Sequence, residues 1–315
     1  MSKLFIIGNG FDIAHGFDTR YSNFKQWIEN QLPESNPEDT LPQGFYFTDP
    51  DPANEYINGL LFLKDLLDND PVLSDEWNEF EDSLASLPIY EKYQNLIDFV
   101  LEPDDIFENP SRYDDVCVND ATLILENLKK IPEYFRDWIE TVDLTKPCRR
   151  LLISDLFAED SLFINFNYTE TLEQVYKINA SQICYMHGKR NNWEPLVVGH
   201  SEKNYSTDHN FDCPSAGTIL DEAIAQLEKD ADSIIIKNKS FLSKIDGSVT
   251  DIYVYGFSYG EQDVPYIKHI IGLTKGKANW HLSDFDNIVR RTEIEKLLKN
   301  NGCTGQISSF DHSSI

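Results

Sequence analysis

Five short stretches of this 315-residue chain, three of them with glycines, carry polar residues that could bind or attack a substrate. The first is Gly8-Asn9-Gly10-Phe11-Asp12-Ile13-Ala14-His15-Gly16, directly after an apolar run. Glycines after a strand let the backbone approach a pyrophosphate, whose charge is favoured by N–H groups at a helix start or in a nest. Gly8, Asn9, Gly10, Asp12 and Gly16 are therefore nucleotide-binding candidates. Their spacing departs from the dinucleotide pattern G-x-G-x-x-G, because Ile13 stands where the third glycine belongs. A tight turn without a ligand would use the same residues. The second stretch is Phe166-Asn167-Tyr168-Thr169-Glu170-Thr171. The Asn167 amide can donate and accept at once, which suits a ribose hydroxyl or a water. An asparagine that only satisfies loop backbone is the alternative. Thr169 is expected to cap the next helix, with Glu170 or Glu173 in its first turn.

The third stretch, Tyr185-Met186-His187-Gly188, places an imidazole at a strand end, where it suits a general base. A purely structural histidine is the competing assignment. In the fourth, Gly256-Phe257-Ser258-Tyr259-Gly260-Glu261-Gln262-Asp263, Gly256 ends a strand, and Ser258 and Asp263 could meet a phosphate or a ribose. In the fifth, His281-Leu282-Ser283-Asp284-Phe285-Asp286, Asp284 joins the nucleotide-binding set and Asp286 is expected to cap the helix that follows. All five stretches follow predicted strands. That shared position, more than any one motif, points to a single nucleotide site.

The elements that must position these residues follow from the apolar pattern. Leu4-Phe5-Ile6-Ile7 is apolar without alternation, as in a parallel strand covered on both faces. Further strands are expected at 162–166, 183–186, 196–198, 251–256 and 279–282, with an edge strand within 305–310. Helical spacing is expected at 22–32, 170–178, 218–227, 265–272 and 287–300, and throughout 54–150. A Pro- and Asp-rich stretch, 33–52, is expected as a long surface loop. Strand and helix in alternation imply a Rossmann-like α/β fold: an open, mostly parallel sheet with a large α-helical insertion after the first βα unit. The expected domains are a nucleotide-binding core of 1–33 and 146–315, and an acidic helical insertion of 34–145.

Composition bounds the function. Lys and Arg number 27 against 54 Asp and Glu, a formal charge of −27 that repels a polyanion and disfavours nucleic acid. The acid is concentrated: 29 acidic and 6 basic residues lie between 29 and 143. This is a solvated helical surface or, more sharply, a docking face for a basic partner. Five scattered cysteines without a Cys-x-x-Cys argue against a disulfide framework and a structural zinc site, and no metal is expected. No apolar run approaches a membrane span, and no cleavage site follows the first strand, so a cytoplasmic location is expected.

The motifs together resemble the bacterial abortive-infection AbiH-like family. The resemblance is carried by Ile7-Gly8-Asn9-Gly10-Phe11-Asp12-Ile13-Ala14-His15-Gly16, Trp77-Asn78-Glu79-Phe80-Glu81, Phe166-Asn167-Tyr168-Thr169, His187-Gly188 and Gly256-Phe257-Ser258. These span nearly the whole chain in order. A more distant similarity is to sirtuin-like NAD-consuming domains. Gly8, Gly10 and Gly16 match their G-A-G-x-S-x-x-x-G spacing, with Asp12 where a serine is usual. Asn167 and His187-Gly188 fit the places of their Asn and catalytic His-Gly, and Gly256-Phe257-Ser258 resembles their later Gly-Tyr-Ser segment. Thr169 replaces their acidic residue, and their four-cysteine zinc module is missing.

What the resemblance implies is cleavage of the nicotinamide–ribose bond. Asn167 would position water or ribose, His187 would act as base, and the glycine loop would hold the pyrophosphate. NAD is then a substrate or ligand, and no true cofactor is expected. Two alternatives stay open. One is a non-catalytic nucleotide sensor, engaging a protein partner or a second copy through the helical insertion. The other is a hydrolase of another nucleotide or of RNA.

Overall fold

The computed structural model describes residues 2–32, 52–68, 84, 89–101, 105–146, 148, 151–200, 213–283 and 288–311. Trp77-Asn78-Glu79-Phe80-Glu81, Asp284, Asp286 and most of the expected loop at 33–52 lie outside them. Six strands form one sheet: β1 (Ser2–Ile7), β2 (Leu162–Asn165), β3 (Ile183–Tyr185), β4 (Val249–Tyr255), β5 (Asn279–Ser283) and β6 (Ile307–Phe310). Their order is β3-β2-β1-β4-β5-β6, and every pairing is parallel. The chain therefore runs outward from β1 in one direction and from β4 in the other. In such a doubly wound sheet, the order reverses between the two central strands, and ligands bind beyond the strands' carboxyl ends there.

Alternation along β1 builds both cores. Leu4 and Ile6 meet Ile164, Cys184, Ile252, Val254 and Trp280 on one face, under Ile267 and Ile270 of helix Val264–Leu273 and Leu298 of helix Ile288–Asn300. Phe5 and Ile7 meet Phe163, Ile183 and Tyr255 on the other, with Phe11, Leu151, Ile153 and Leu172. Both faces of β1 are thus apolar, and its unbroken hydrophobic run is the consequence.

The chain divides into two compact units: 1–20 with 136–197 and 230–315, and 21–135 with 198–229. The second unit is helical. In it, helix Pro110–Leu128 buries Ala121, Ile124 and Leu125, and helix Pro214–Ala225 buries Ala216, Leu220 and Ala223. Tyr90 of helix Ile89–Val100 donates to Asp221 at 2.7 Å, tying Pro214–Ala225 to that helix. Among the described residues, no helix is long and apolar enough to cross a membrane.

Residues 196–198 are not a strand. Val197 N–H donates to the His187 carbonyl at 2.9 Å, and the Tyr168 hydroxyl donates to the Val197 carbonyl at 2.7 Å. Those are two isolated bonds without a ladder. Leu196 is buried because it packs near Gly188, and that explains the apolar pattern that suggested a strand. Helices Ala231–Lys237 and Lys239–Leu242 were not foreseen. They are short, and they place Ile234 and Leu242 on the same core as Leu4.

The junction of β1 and β4 is a backbone-to-backbone clasp. Gly8 N–H donates to the Tyr255 carbonyl and Gly10 N–H to the Gly256 carbonyl, both at 3.0 Å. Gly256 has φ +65°, and a Cβ there would lie 2.4 Å from Phe11 N. A Cβ on Gly8 would lie 2.4 Å from the Gly256 oxygen, and one on Gly10 2.6 Å from Gly256 Cα. No side chain fits at any of the three. Gly256→Ala is expected to cost about 3 kcal/mol or more, from a left-handed φ and a backbone clash together. Gly247→Ala, with nothing within 4 Å of the added methyl, should stay within about 0.5 kcal/mol. Urea denaturation of the two variants checks the contrast, and equal effects would remove the clasp from the account.

Candidate functional site

The end of β1 passes through Gly8 into the short helix Asn9–Ala14. Asn9 does not point outward: its Nδ2 donates to the Thr19 carbonyl at 2.8 Å and closes the loop that Gly16 turns at φ +82°. Asp12, one turn into the helix, is 1% exposed. Its Oδ2 accepts from the Thr169 hydroxyl at 2.5 Å, and its Oδ1 from the Thr171 hydroxyl at 2.6 Å. Burial raises the Asp12 pKa to about 6, against the pull of Thr169, Thr171, Asn167 and the Arg190 charge. Thr169 is therefore not the helix cap that its sequence position suggests. Glu170 occupies the N-cap of helix Thr171–Tyr176 without a side-chain capping bond, while the Thr169 hydroxyl serves Asp12. The helix starts at Thr171, so Thr169 stands one residue before the cap position, and its hydroxyl donates to Asp12.

His15 sits below this group. Nδ1 lies 2.6 Å from the Phe11 carbonyl, and Nε2 lies 2.7 Å from the Tyr176 hydroxyl. A carbonyl only accepts, so Nδ1 carries the proton. Burial lowers the His15 pKa, the Phe11 bond opposing it, and in the neutral ring Nε2 accepts from Tyr176. Tyr176 in turn accepts from Leu151 N–H at 3.1 Å.

Asn167 and His187 leave neighbouring strands at matching heights, since Asn165 pairs with Tyr185 and Met186 N–H donates to the Asn165 carbonyl at 2.9 Å. Asn167 is 5% exposed, and its backbone N–H is held by the Asn165 side chain at 3.1 Å. Its carboxamide stands close enough to Asp12 to favour the charged carboxylate, yet neither amide atom makes a hydrogen bond of ordinary geometry. His187 is 4% exposed, and its ring lies 5.2 Å from Phe166, 5.8 Å from Tyr266 and 6.2 Å from Tyr168. Phe166 and Tyr266 belong to the core on the Leu4 face of the sheet. No hydrogen bond joins the side chains of Asn167 and His187. Beyond β4, Ser258 donates to Asp263 at 3.0 Å, and Arg290 donates to the Ser258 carbonyl at 2.6 Å. Asp263 is 4% exposed. The structure thus places Gly8, Gly10, Asp12, Asn167, His187, Gly256, Ser258 and Asp263 at strand ends or just beyond them, with Asn9 and Gly16 on the loop's outer turn.

A second polar group was not foreseen. Glu170, 3% exposed, accepts from Arg190 Nε at 2.8 Å and from Asn191 Nδ2 at 2.5 Å. Arg190 also donates to the carbonyls of Ile139 and Val142 at 2.9 and 2.6 Å. This ties the loops after β2 and β3 to the end of helix Ile131–Glu140. The available signal was Asn165, a polar residue inside an apolar strand. Arg190 carried none, because a surface arginine looks the same in sequence.

The raised Asp12 pKa makes stability depend on pH. Between the ordinary value of 3.8 and about 6, the folded chain holds a proton that the unfolded chain releases. Stability from this group is complete below 3.8 and is lost as pH rises through 6, by on the order of 3 kcal/mol. Asp12→Asn keeps an acceptor and a donor for the two threonine hydroxyls and removes the titration. Denaturation across pH 4 to 8 should then show a smaller fall for the variant than for the parent. Asp120, also raised to about 6 by burial, is common to both and cancels. Parallel pH curves would overturn the assignment.

The family model for bacteriophage abortive infection AbiH fits residues 4–284. No curated protein and no solved structure matches. The matched span contains β1 from Leu4 onward, β2 to β5 and the loops that carry the buried polar network, and it covers most of the 315 residues. This chain belongs to the bacteriophage abortive infection AbiH family.

Proposed function

We propose that this chain acts in abortive infection by hydrolysing NAD at the nicotinamide–ribose bond. The observation that carries the reading is the Asn167 carboxamide. It is buried just beyond the inner strand β2 and beside the Asp12 carboxylate, yet neither amide atom makes a hydrogen bond of ordinary geometry. Buried amides are nearly always satisfied, so one left open at a strand end is suited to a ligand hydroxyl or a water. The position, beyond the carboxyl ends of a doubly wound sheet, is where such folds bind nucleotides.

In this reading, Asn167 holds the ribose or the attacking water. Water adds to ribose C1′, the C1′–N bond breaks, nicotinamide leaves with the bond's electron pair, and His187 takes the water's proton. Gly8 and Gly10 keep the loop backbone low enough for the pyrophosphate to approach, and Ser258 and Asp263 face the distal ribose or phosphate. Depletion of NAD would arrest an infected cell. A second reading, a nucleotide sensor without turnover, is favoured by the clasp: it engages the N–H groups of Gly8 and Gly10 with the Tyr255 and Gly256 carbonyls, which leaves fewer donors for a phosphate. In that case the acidic helical unit would carry the partner.

Incubation of the purified protein with NAD, followed by chromatography for nicotinamide and ADP-ribose, decides between them. The expected result is equimolar release. Asn167→Ala should lower it by about 100-fold or more, as for a lost transition-state donor. The variant should remain folded, as circular dichroism checks, although it also removes the approach of the Asn167 amide to Asp12. NAD binding by calorimetry without release would support the sensor, and absence of both would sink both readings.

A further inference from the structure

Away from the strand ends, three side chains form a hydrogen-bonded chain across the last three strands. Asp251 Oδ1 on β4 lies 2.8 Å from His281 Nε2 on β5, and His281 Nδ1 lies 2.8 Å from Ser308 Oγ on β6. A carboxylate cannot donate, so Nε2 carries a proton. In the neutral ring, Nδ1 then presents its lone pair to Ser308, whose hydroxyl must donate to it. Burial of Asp251 works against its charge, but bonds from His281, Thr250 and Asn279 outweigh it and hold its pKa below the ordinary value. The imidazole is fixed by more than these bonds, since it stacks on Tyr253 with centroids 4.4 Å apart and planes 16° from parallel. All three residues stand on strands, whose backbone holds them more rigidly than loops would.

We propose that Asp251, His281 and Ser308 form a second, serine-nucleophile site that hydrolyses small carboxylic esters. The side chains of His281 and Asp251 are 22% and 26% exposed, and Ser308 is half-buried, so the group can be reached from solvent. The helices after β4 and β5, Val264–Leu273 and Ile288–Asn300, pack on the opposite face of the sheet. Tyr253 and Phe310, half-buried and 5.8 Å apart, supply an apolar floor for a short acyl group. Among the described residues β6 ends the sheet, and its outer edge meets no strand. Gln306 turns both its N–H and its carbonyl to β5, and alternation then turns the Ser309 N–H outward. That N–H follows the nucleophile directly and is the donor available to an oxyanion.

The steps balance. Ser308 Oγ attacks the acyl carbon while His281 Nδ1 takes its proton. The bond to the leaving alcohol breaks, and the alcohol departs with that proton. Water then attacks the acyl-serine, gives a proton to Nδ1, and frees the acid as Ser308 recovers its hydrogen. Asp251 is a positioning residue: it holds the ring in the tautomer that activates Ser308.

This inference does not rest on the NAD reading, and its test contains no NAD. The full chain is treated with a fluorophosphonate probe, the adduct is mapped by mass spectrometry, and hydrolysis of p-nitrophenyl acetate is followed. The expected adduct is on Ser308. Ser308→Ala and His281→Ala should each lower ester hydrolysis by about 100-fold or more. Asp251→Asn, which keeps an acceptor oxygen, should lower kcat with KM unchanged, because Asp251 touches no substrate. Circular dichroism establishes that the variants are folded. Should the parent take no label, should the label fall elsewhere, or should Ser308→Ala hydrolyse the ester at the parent rate, the proposal is overturned and the three residues serve only to hold the edge strand.

Discussion

The contact that the rest of the sheet unit depends on is the approach of two backbones at Gly8, Gly10 and Gly256. β1 and β4 are adjacent, and the chain leaves them toward opposite faces of the sheet. At that point the loops could diverge and leave four backbone groups dry and unpaired. Instead they bond to each other, and the absence of three Cβ atoms lets them. The direction of the helix Asn9–Ala14 follows from this contact. So does the depth at which Asp12 enters the interior.

Once Asp12 is buried, its neighbours are constrained in turn. An ionised carboxylate in low dielectric needs donors, and Thr169 and Thr171 provide them from the loop after β2. The same loop is held from its other side by Glu170 and Arg190, 4% and 10% exposed at the side chain. Such a buried pair adds little net stability over an apolar substitute, but breaking it leaves a charge without a partner, and it permits few alternative loop arrangements. Asn165 completes the frame by holding the Asn167 N–H. The Asn167 N–H is thus engaged while its side-chain amide makes no bond of ordinary geometry, and a framework that leaves one group open is what a binding site requires.

The aromatic residues divide the work differently. Phe166, Phe257, Tyr266 and His187 pack edge-on and tilted at 4.6 to 5.8 Å where β2, β3 and β4 end. They place the histidine by shape, while Asn165 places Asn167 by a hydrogen bond. On the opposite side of the sheet, Phe5, Tyr253 and His281 form a stacked row across β1, β4 and β5. Both histidines are therefore held by rings, and they differ in that only His281 lies between a carboxylate and a hydroxyl.

The sequence by itself determined the local facts. Apolar runs located five of the six strands closely, and the last within a wider window; β1, covered on both faces, leaves no polar phase to misread. Glycines after β1 and β4 marked positions where the backbone takes an unusual path. The alternation of strand and helix set the parallel architecture, and the ordered motifs set the family. Only the tertiary structure decided what those residues touch. Gly8 and Gly256 are separated by most of the chain, and nothing local to either announces that they meet. Thr169 reads as a cap and is a donor to Asp12. Residues 196–198 read as a strand and are a loop that covers Gly188. The segment 198–229 lies within the second half of the chain and packs with helices from the first. Asp251, His281 and Ser308 come from three strands, and their line exists only once the sheet sets the register. The physical reason is common to all of these. Propensity and periodicity act within a few residues, whereas burial of a polar group is satisfied by whichever donor the fold brings close, without regard to distance along the chain.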